Sequence, residues 1–70
     1  MFWWFERAGN YLRCEVREVT TGGYELRIID VDGSEQVEHF DHADDLAKRQ
    51  HVVVNDFTTA GWSGPHGWVL

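Results

Sequence analysis

Cysteine is almost missing from this chain, and Cys14 stands alone among 70 residues. A disulfide within the chain is therefore excluded. Basic residues are also scarce. Six Lys and Arg stand against twelve Asp and Glu, a formal net charge of −6. That balance argues against nucleic acid and anionic membrane as partners, since both select for concentrated Lys and Arg. No apolar run approaches the roughly 18 residues of a membrane span. The opening Met1-Phe2-Trp3-Trp4-Phe5 has neither the basic start nor the cleavage site of a signal peptide. With a lone cysteine, this leads us to expect a cytoplasmic protein. Proline occurs once, and no internal repeat, low-complexity tract or linker interrupts the chain.

What is present is hydrophobic and aromatic. The hydrophobic fraction is 43%, with four Trp, four Phe and two Tyr, so disorder is excluded by composition. A chain this short has a small core, which rarely contributes more than about 3–5 kcal/mol net. Without a disulfide, dense aromatic packing, a metal or self-association must supply the rest.

Three turn signals divide the first forty residues: Gly9-Asn10, Thr20 to Gly23 and Asp32-Gly33. Between them lie runs rich in β-branched and aromatic residues: Trp3 to Arg7, Tyr11 to Val19, Tyr24 to Val31 and Glu35 to Phe40. A three-residue second loop, with Gly22 left-handed, sets Arg17 opposite Glu25 and Glu15 opposite Arg27. A two-residue turn at Asp32-Gly33 sets Arg27 opposite Glu38 and Ile28 opposite Val37. A turn at Gly9-Asn10 sets Glu6 opposite Arg13. One face then carries a ladder of alternating charge: Glu6, Arg13, Glu15, Arg17, Glu25, Arg27 and Glu38. The other carries Trp3, Phe5, Leu12, Cys14, Val16, Tyr24, Leu26, Ile28 and Val37. Such agreement between turns and faces is what a true register produces. It leaves Asp30 facing Glu35 beside the last turn.

A helix follows. Asp41 suits its N-cap, and Asp44 and Asp45 complement the positive end of its dipole. At 100° per residue, Ala43, Leu46, Ala47, Gln50, Val53, Val54 and Phe57 share one face. Gly61 sits at C′, with Trp62 after it to pack back. Val52-Val53-Val54 disfavours helix slightly, but caps and periodicity outweigh it. The expected fold is α+β: a four-stranded antiparallel β-meander with one C-terminal α-helix, His42 to Ala60, on one face. Residues 1–62 form a single ββββα domain, and 63–70 form an irregular tail.

Chemistry-bearing clusters are thin. His39, Asp41 and His42 flank the strand-to-helix junction and are proper ligand types for zinc or iron. Asp44, Asp45, Cys14, His51 and His66 are possible additions, but the spacing matches no strong metal signature. Mid-strand on the core face, Cys14 reads as an inert buried thiol. No Ser-His-Asp arrangement has a recognisable turn, and neither Gly22-Gly23 nor Gly64-Pro65-His66-Gly67 is a phosphate loop. A three-stranded sheet backed by a helix can read a DNA groove. Here Glu6, Glu15, Glu25 and Glu38 interleave with the arginines and would repel phosphate.

The aromatic first strand is the most suggestive feature. Trp3 and Phe5 reach the core, while Trp4, Phe2, Tyr11, Ile29, Val31 and Phe40 point outward. Two readings follow. Trp4 packs over the stems of Arg13 and Arg17 with Trp62 or Trp68 beside it. Alternatively, the strand is an exposed edge that invites another chain. The expectation is a non-catalytic protein-interaction module, homodimeric or bound to a protein partner, without cofactor. Phe2, Trp3, Trp4, Tyr11 and Phe40 are its candidate interface. A small metal-binding protein using His39, Asp41 and His42 is the first alternative. A weak nucleic-acid binder using the arginine-bearing sheet face is the second.

Overall fold

The computed structural model describes residues 1–69, with side chains for 1–67. Five strands and one helix follow in the order β1 (Phe2–Arg7), β2 (Asn10–Glu18), β3 (Tyr24–Ile29), β4 (Glu35–Phe40), α1 (Ala43–Thr59) and β5 (Ser63–Val69). The sheet order is β4-β3-β2-β1-β5, antiparallel throughout. The expected α+β class and antiparallel sheet hold, but with five strands rather than four. The segment expected as an irregular tail, 63–70, supplies the extra strand over Ser63–Val69, and Leu70 lies outside the described residues. Sequence patterning gave little warning of β5. Its run Ser63-Gly64-Pro65-His66-Gly67 has turn composition and no alternation, and its pairing with β1 is broken by two register shifts. An edge strand tolerates both Pro65 and such irregularity.

The β2–β3 register is the expected one, with Arg17 opposite Glu25 and Cys14 opposite Ile28. The loop Thr20 to Gly22 closes through Gly22 N–H to the Val19 carbonyl and Val19 N–H to the Gly23 carbonyl, with Gly22 at φ +109. The first turn lies one residue earlier than expected. Arg7 pairs with Asn10, so the loop is Ala8-Gly9, and both residues have positive φ, +50 and +79. Positive φ at both positions is the type I′ conformation, whose twist matches that of the flanking strands. Glu6 therefore faces Tyr11, and Trp4 faces Arg13. This shift of two leaves every side chain on its expected face.

The third turn differs by one residue, and that reverses a strand. Gly33 N–H bonds the Asp30 carbonyl, and Asp30 N–H bonds the Ser34 carbonyl, so the loop is Val31-Asp32-Gly33. Its reason is local. The Asp32 carboxylate accepts the Ser34 hydroxyl at 2.7 Å and the Ser34 N–H at 2.9 Å. These bonds, the hydroxyl first, hold its carboxyl below the usual range. Only Gly33 then turns left-handed, at φ +88. A two-residue turn would have demanded positive φ of Asp32 as well. Arg27 consequently faces Val37, Leu26 faces Glu38, and Ile29 rather than Asp30 faces Glu35. Val37 moves to the uncovered face and is 49% exposed. Glu38 and Phe40 move to the helix side.

The remaining core is as expected. Trp3, Phe5, Leu12, Cys14, Leu26 and Ile28 form one buried cluster with Leu46 and Val53 of α1 and with Trp62, and Val16, Tyr24, Phe40, Val54 and Phe57 pack against it. The valine run is helical, with Val53 in the core. The helix N-cap is His42 rather than Asp41, in extended conformation and with no side-chain cap bond. The C-terminus ends as expected. Gly61 N–H bonds the Thr58 carbonyl and Trp62 N–H the Phe57 carbonyl, the double closure of a Schellman motif. Arg7 adds a third bond there, Nη1 to the Ala60 carbonyl at 2.9 Å, and lies 4.5 Å over the Trp62 ring.

Candidate functional site

Among the described residues, the sheet presents a face away from α1 and two unpaired edges, at β4 and at β5. β1 is not an edge, because β5 pairs along it. Of the five candidate interface residues, Phe2 and Tyr11 stay exposed, and Trp3, Trp4 and Phe40 are covered to different degrees. Trp3 is completely buried in the core. Phe40 packs against the core from the helix side, because the three-residue turn reversed β4. Trp4 is half-buried on the outer face, its ring centroid 5.9 Å from Phe2 and 6.0 Å from His66. The backbone of Gly67 lies directly beneath it, where any Cβ would collide with the indole. One sequence reading had set the tail beside Trp4, but as an irregular segment and not as a strand paired with β1. Phe2 is 41% exposed and Tyr11 53% exposed. With Trp4 and Arg13, these two line a hollow of about 320 Å³.

The charge ladder survives on that face without Glu38. Arg17 donates to Glu25 at 2.9 Å, and Arg27 lies 3.5 Å from Glu35. The paired arginines already have carboxylate neighbours that phosphate would have to displace. Glu38, now on the helix side, accepts two bonds from Arg49 Nε and one from Nη2, at 2.9, 3.2 and 3.1 Å. A carboxylate turned towards a core needs such a partner.

The proposed metal ligands are only partly assembled. His39 Nδ1 is 3.6 Å from Asp41 Oδ1, and its Nε2 is 3.4 Å from the Gly22 carbonyl. His42 occupies the helix N-cap position through its backbone, and its side chain makes no cap bond. Among the described residues, no three His, Cys, Asp or Glu are grouped to hold a metal ion. Cys14 is buried, and desolvation pushes its thiol up to about 12, which removes thiolate reactivity at neutral pH.

One pair was not anticipated: Ser63 Oγ lies 3.2 Å from His66 Nε2. The serine hydroxyl donates its single hydrogen to the Glu6 carbonyl at 3.1 Å. With its hydrogen directed at the Glu6 carbonyl, the hydroxyl is not aimed at His66 as that of a nucleophilic serine would be. The pair ties β5 to β1. On the helix side, a cleft of about 480 Å³ is floored by Leu12, Ile28 and Val53 and flanked by Arg7 and Arg49. Both guanidiniums are engaged, Arg7 with Ala60 and Arg49 with Glu38.

The edges differ in how they are finished. β5 carries Pro65, which has no N–H, and two breaks of register, devices that discourage pairing. β4 runs its full six residues against β3 with unbroken register, and Glu-Gln-Val-Glu-His-Phe contains no Pro, Gly or Lys. Among the described residues, no helix is long and apolar enough to cross a membrane. Compared with protein-family models, with curated proteins and with solved structures, the chain finds no match.

Proposed function

We propose that this chain is a non-catalytic protein-interaction module that self-associates. The observation carrying this reading is the open edge at β4, which lacks the protection built into β5. An unpaired strand edge presents backbone donors and acceptors in register, and pairing with another strand satisfies them. The reading also answers the small core, because a second copy buries surface that 70 residues cannot cover alone. The engaged hydroxyl of Ser63 and the buried thiol of Cys14 favour a binding role over a catalytic one.

A second contact region has its own support. The exposed rings of Phe2 and Tyr11 beside Trp4 offer an apolar patch for face-to-face packing. The deciding measurement is molar mass by light scattering across a tenfold concentration range. The expected result is a mass near twice 8.2 kDa at the higher concentrations. A constant mass of one chain throughout would refute self-association.

A further inference from the structure

The pairing of β3 with β4 decides which backbone groups of β4 remain free. Asp30 donates its N–H to the Ser34 carbonyl at 2.8 Å, so residues 30 and 34 form a hydrogen-bonded pair. Antiparallel ladders alternate bonded and non-bonded pairs. Counting along the register, Gln36, Glu38 and Phe40 direct their N–H and C=O towards β3. Glu35, Val37 and His39 direct theirs away from the sheet. The side chains of these same three residues stand on the face opposite α1. One short edge thus presents three donors, three acceptors and the side-chain sequence acid, valine, histidine.

That sequence is complementary to itself when read antiparallel. Resting on the self-association reading above, we propose that two copies of this chain pair β4 against β4 with Val37 opposite the partner's Val37 on the two-fold axis. Glu35 then faces the partner's His39, and His39 faces the partner's Glu35. An imidazole N–H can donate to a carboxylate whether the ring is charged or neutral. On the helix side, Gln36 faces the partner's Glu38, an amide against a carboxylate. Three N–H groups from each copy bond three carbonyls of the other, six bonds in all.

Other registers do worse. A shift by one residue brings edge-facing groups against groups already bonded to β3, and mismatches the faces. A shift by two towards the C-terminus sets Glu38 opposite the partner's Glu38 and keeps only four of the six bonds. A shift by two the other way also keeps four and separates both Glu35–His39 pairs. The rotation axis is perpendicular to the sheet, so the dimer is a continuous sheet of ten strands, two of five, with both helices on one side. An isologous interface of this kind closes and does not propagate, and the proline-bearing β5 finishes each outer end.

The test uses the full chain. Val37→Pro is the central variant. The Val37 N–H faces the free edge, so proline is compatible with β4 yet removes the two bonds at the axis. Sedimentation equilibrium should show a dimer in the unsubstituted chain and a Kd weakened by roughly tenfold or more in Val37→Pro, with unchanged far-ultraviolet circular dichroism. A charge exchange serves as a second measurement, independent of how well proline is accommodated. Glu35→Lys and His39→Glu should each weaken the dimer, and the double variant should recover affinity. A dimer that ignores Val37→Pro and dissociates on Tyr11→Glu would overturn this pairing and leave self-association standing. A monomer at every concentration would overturn both. Failure of the double variant to recover affinity would overturn the register.

Discussion

Removing the thiol of Cys14 tests the packing of the core through pH. The side chain is completely buried between strands that carry Trp3, Phe5, Leu26 and Ile28. Desolvation raises its pKa from 9.0 to about 12. In the unfolded chain the thiol ionises at its ordinary value, so between these limits the unfolded state holds fewer protons than the folded one. Stability is therefore fully present below about pH 9 and falls as pH rises towards about 12. The limiting slope is about 1.4 kcal/mol per pH unit. A domain of this size has roughly 3–5 kcal/mol to lose, so two to three units of alkali remove most of it. Urea unfolding followed by tryptophan fluorescence, from pH 7 to 11.5, measures the curve. Cys14→Ala should start lower, by about 1–2 kcal/mol for the cavity it leaves, and should lack this slope. Other alkaline titrations are common to both chains, so the stability difference should shrink above pH 9 and then change sign. Parallel curves would show that the thiol ionises as easily folded as unfolded, and would refute the burial argument.

The turns and helix ends supply further tests. Ala8 holds φ +50 in the first turn, a conformation costing a residue with a Cβ about 1–2 kcal/mol, so Ala8→Gly or Ala8→Asn should raise the melting temperature. His42 caps α1 without a side-chain bond, and His42→Ser should add about 0.5–1.5 kcal/mol in urea unfolding. Glu38→Ala should cost about 1–2 kcal/mol by stranding Arg49. A double-mutant cycle with Arg49→Ala should return a coupling of at least about 0.5 kcal/mol.

Much of this architecture was legible because several local signals agreed. The β2–β3 register followed from Gly22 and from the charges of Glu15, Arg17, Glu25 and Arg27. The helix and its Gly61-Trp62 ending followed from periodicity and the glycine. Besides the one-residue shift of the first turn and the cap at His42 rather than Asp41, two larger features were not legible, for different physical reasons. β5 has no strand signature, since Gly64, Pro65 and Gly67 are turn residues by type and join the sheet only because β1 has a free side for them. Trp4 supplies a flat ring that Gly67 alone can approach so closely. The aromatic strand read as an exposed edge was therefore an interior one, with Trp3 in the core. The third turn was misjudged because Asp-Gly favours a two-residue loop in isolation. Ser34, one residue further on, tipped the choice by giving the Asp32 carboxylate two bonds that require the longer loop.

That turn has consequences well beyond its five residues. With a two-residue loop, Val37 would have faced the core and Glu38 the charge ladder, where it would have opposed Arg27. The extra residue turns Glu38 towards α1, where Arg49 meets it, and fastens the helix to β4 through an ion pair with three hydrogen-bond contacts. The same reversal puts Glu35, Val37 and His39 together on the outer face, with their backbone groups on the free edge. Val37, an apolar side chain left about half exposed there, is then the expense of the arrangement for an isolated chain. Against a second β4 it becomes the central contact, flanked on both sides by acid and histidine. The Asp32–Ser34 bonds thus set both how the helix is held and what the open edge offers. Weakening this turn should therefore disturb helix docking and self-association together, whereas Val37→Pro should disturb self-association alone.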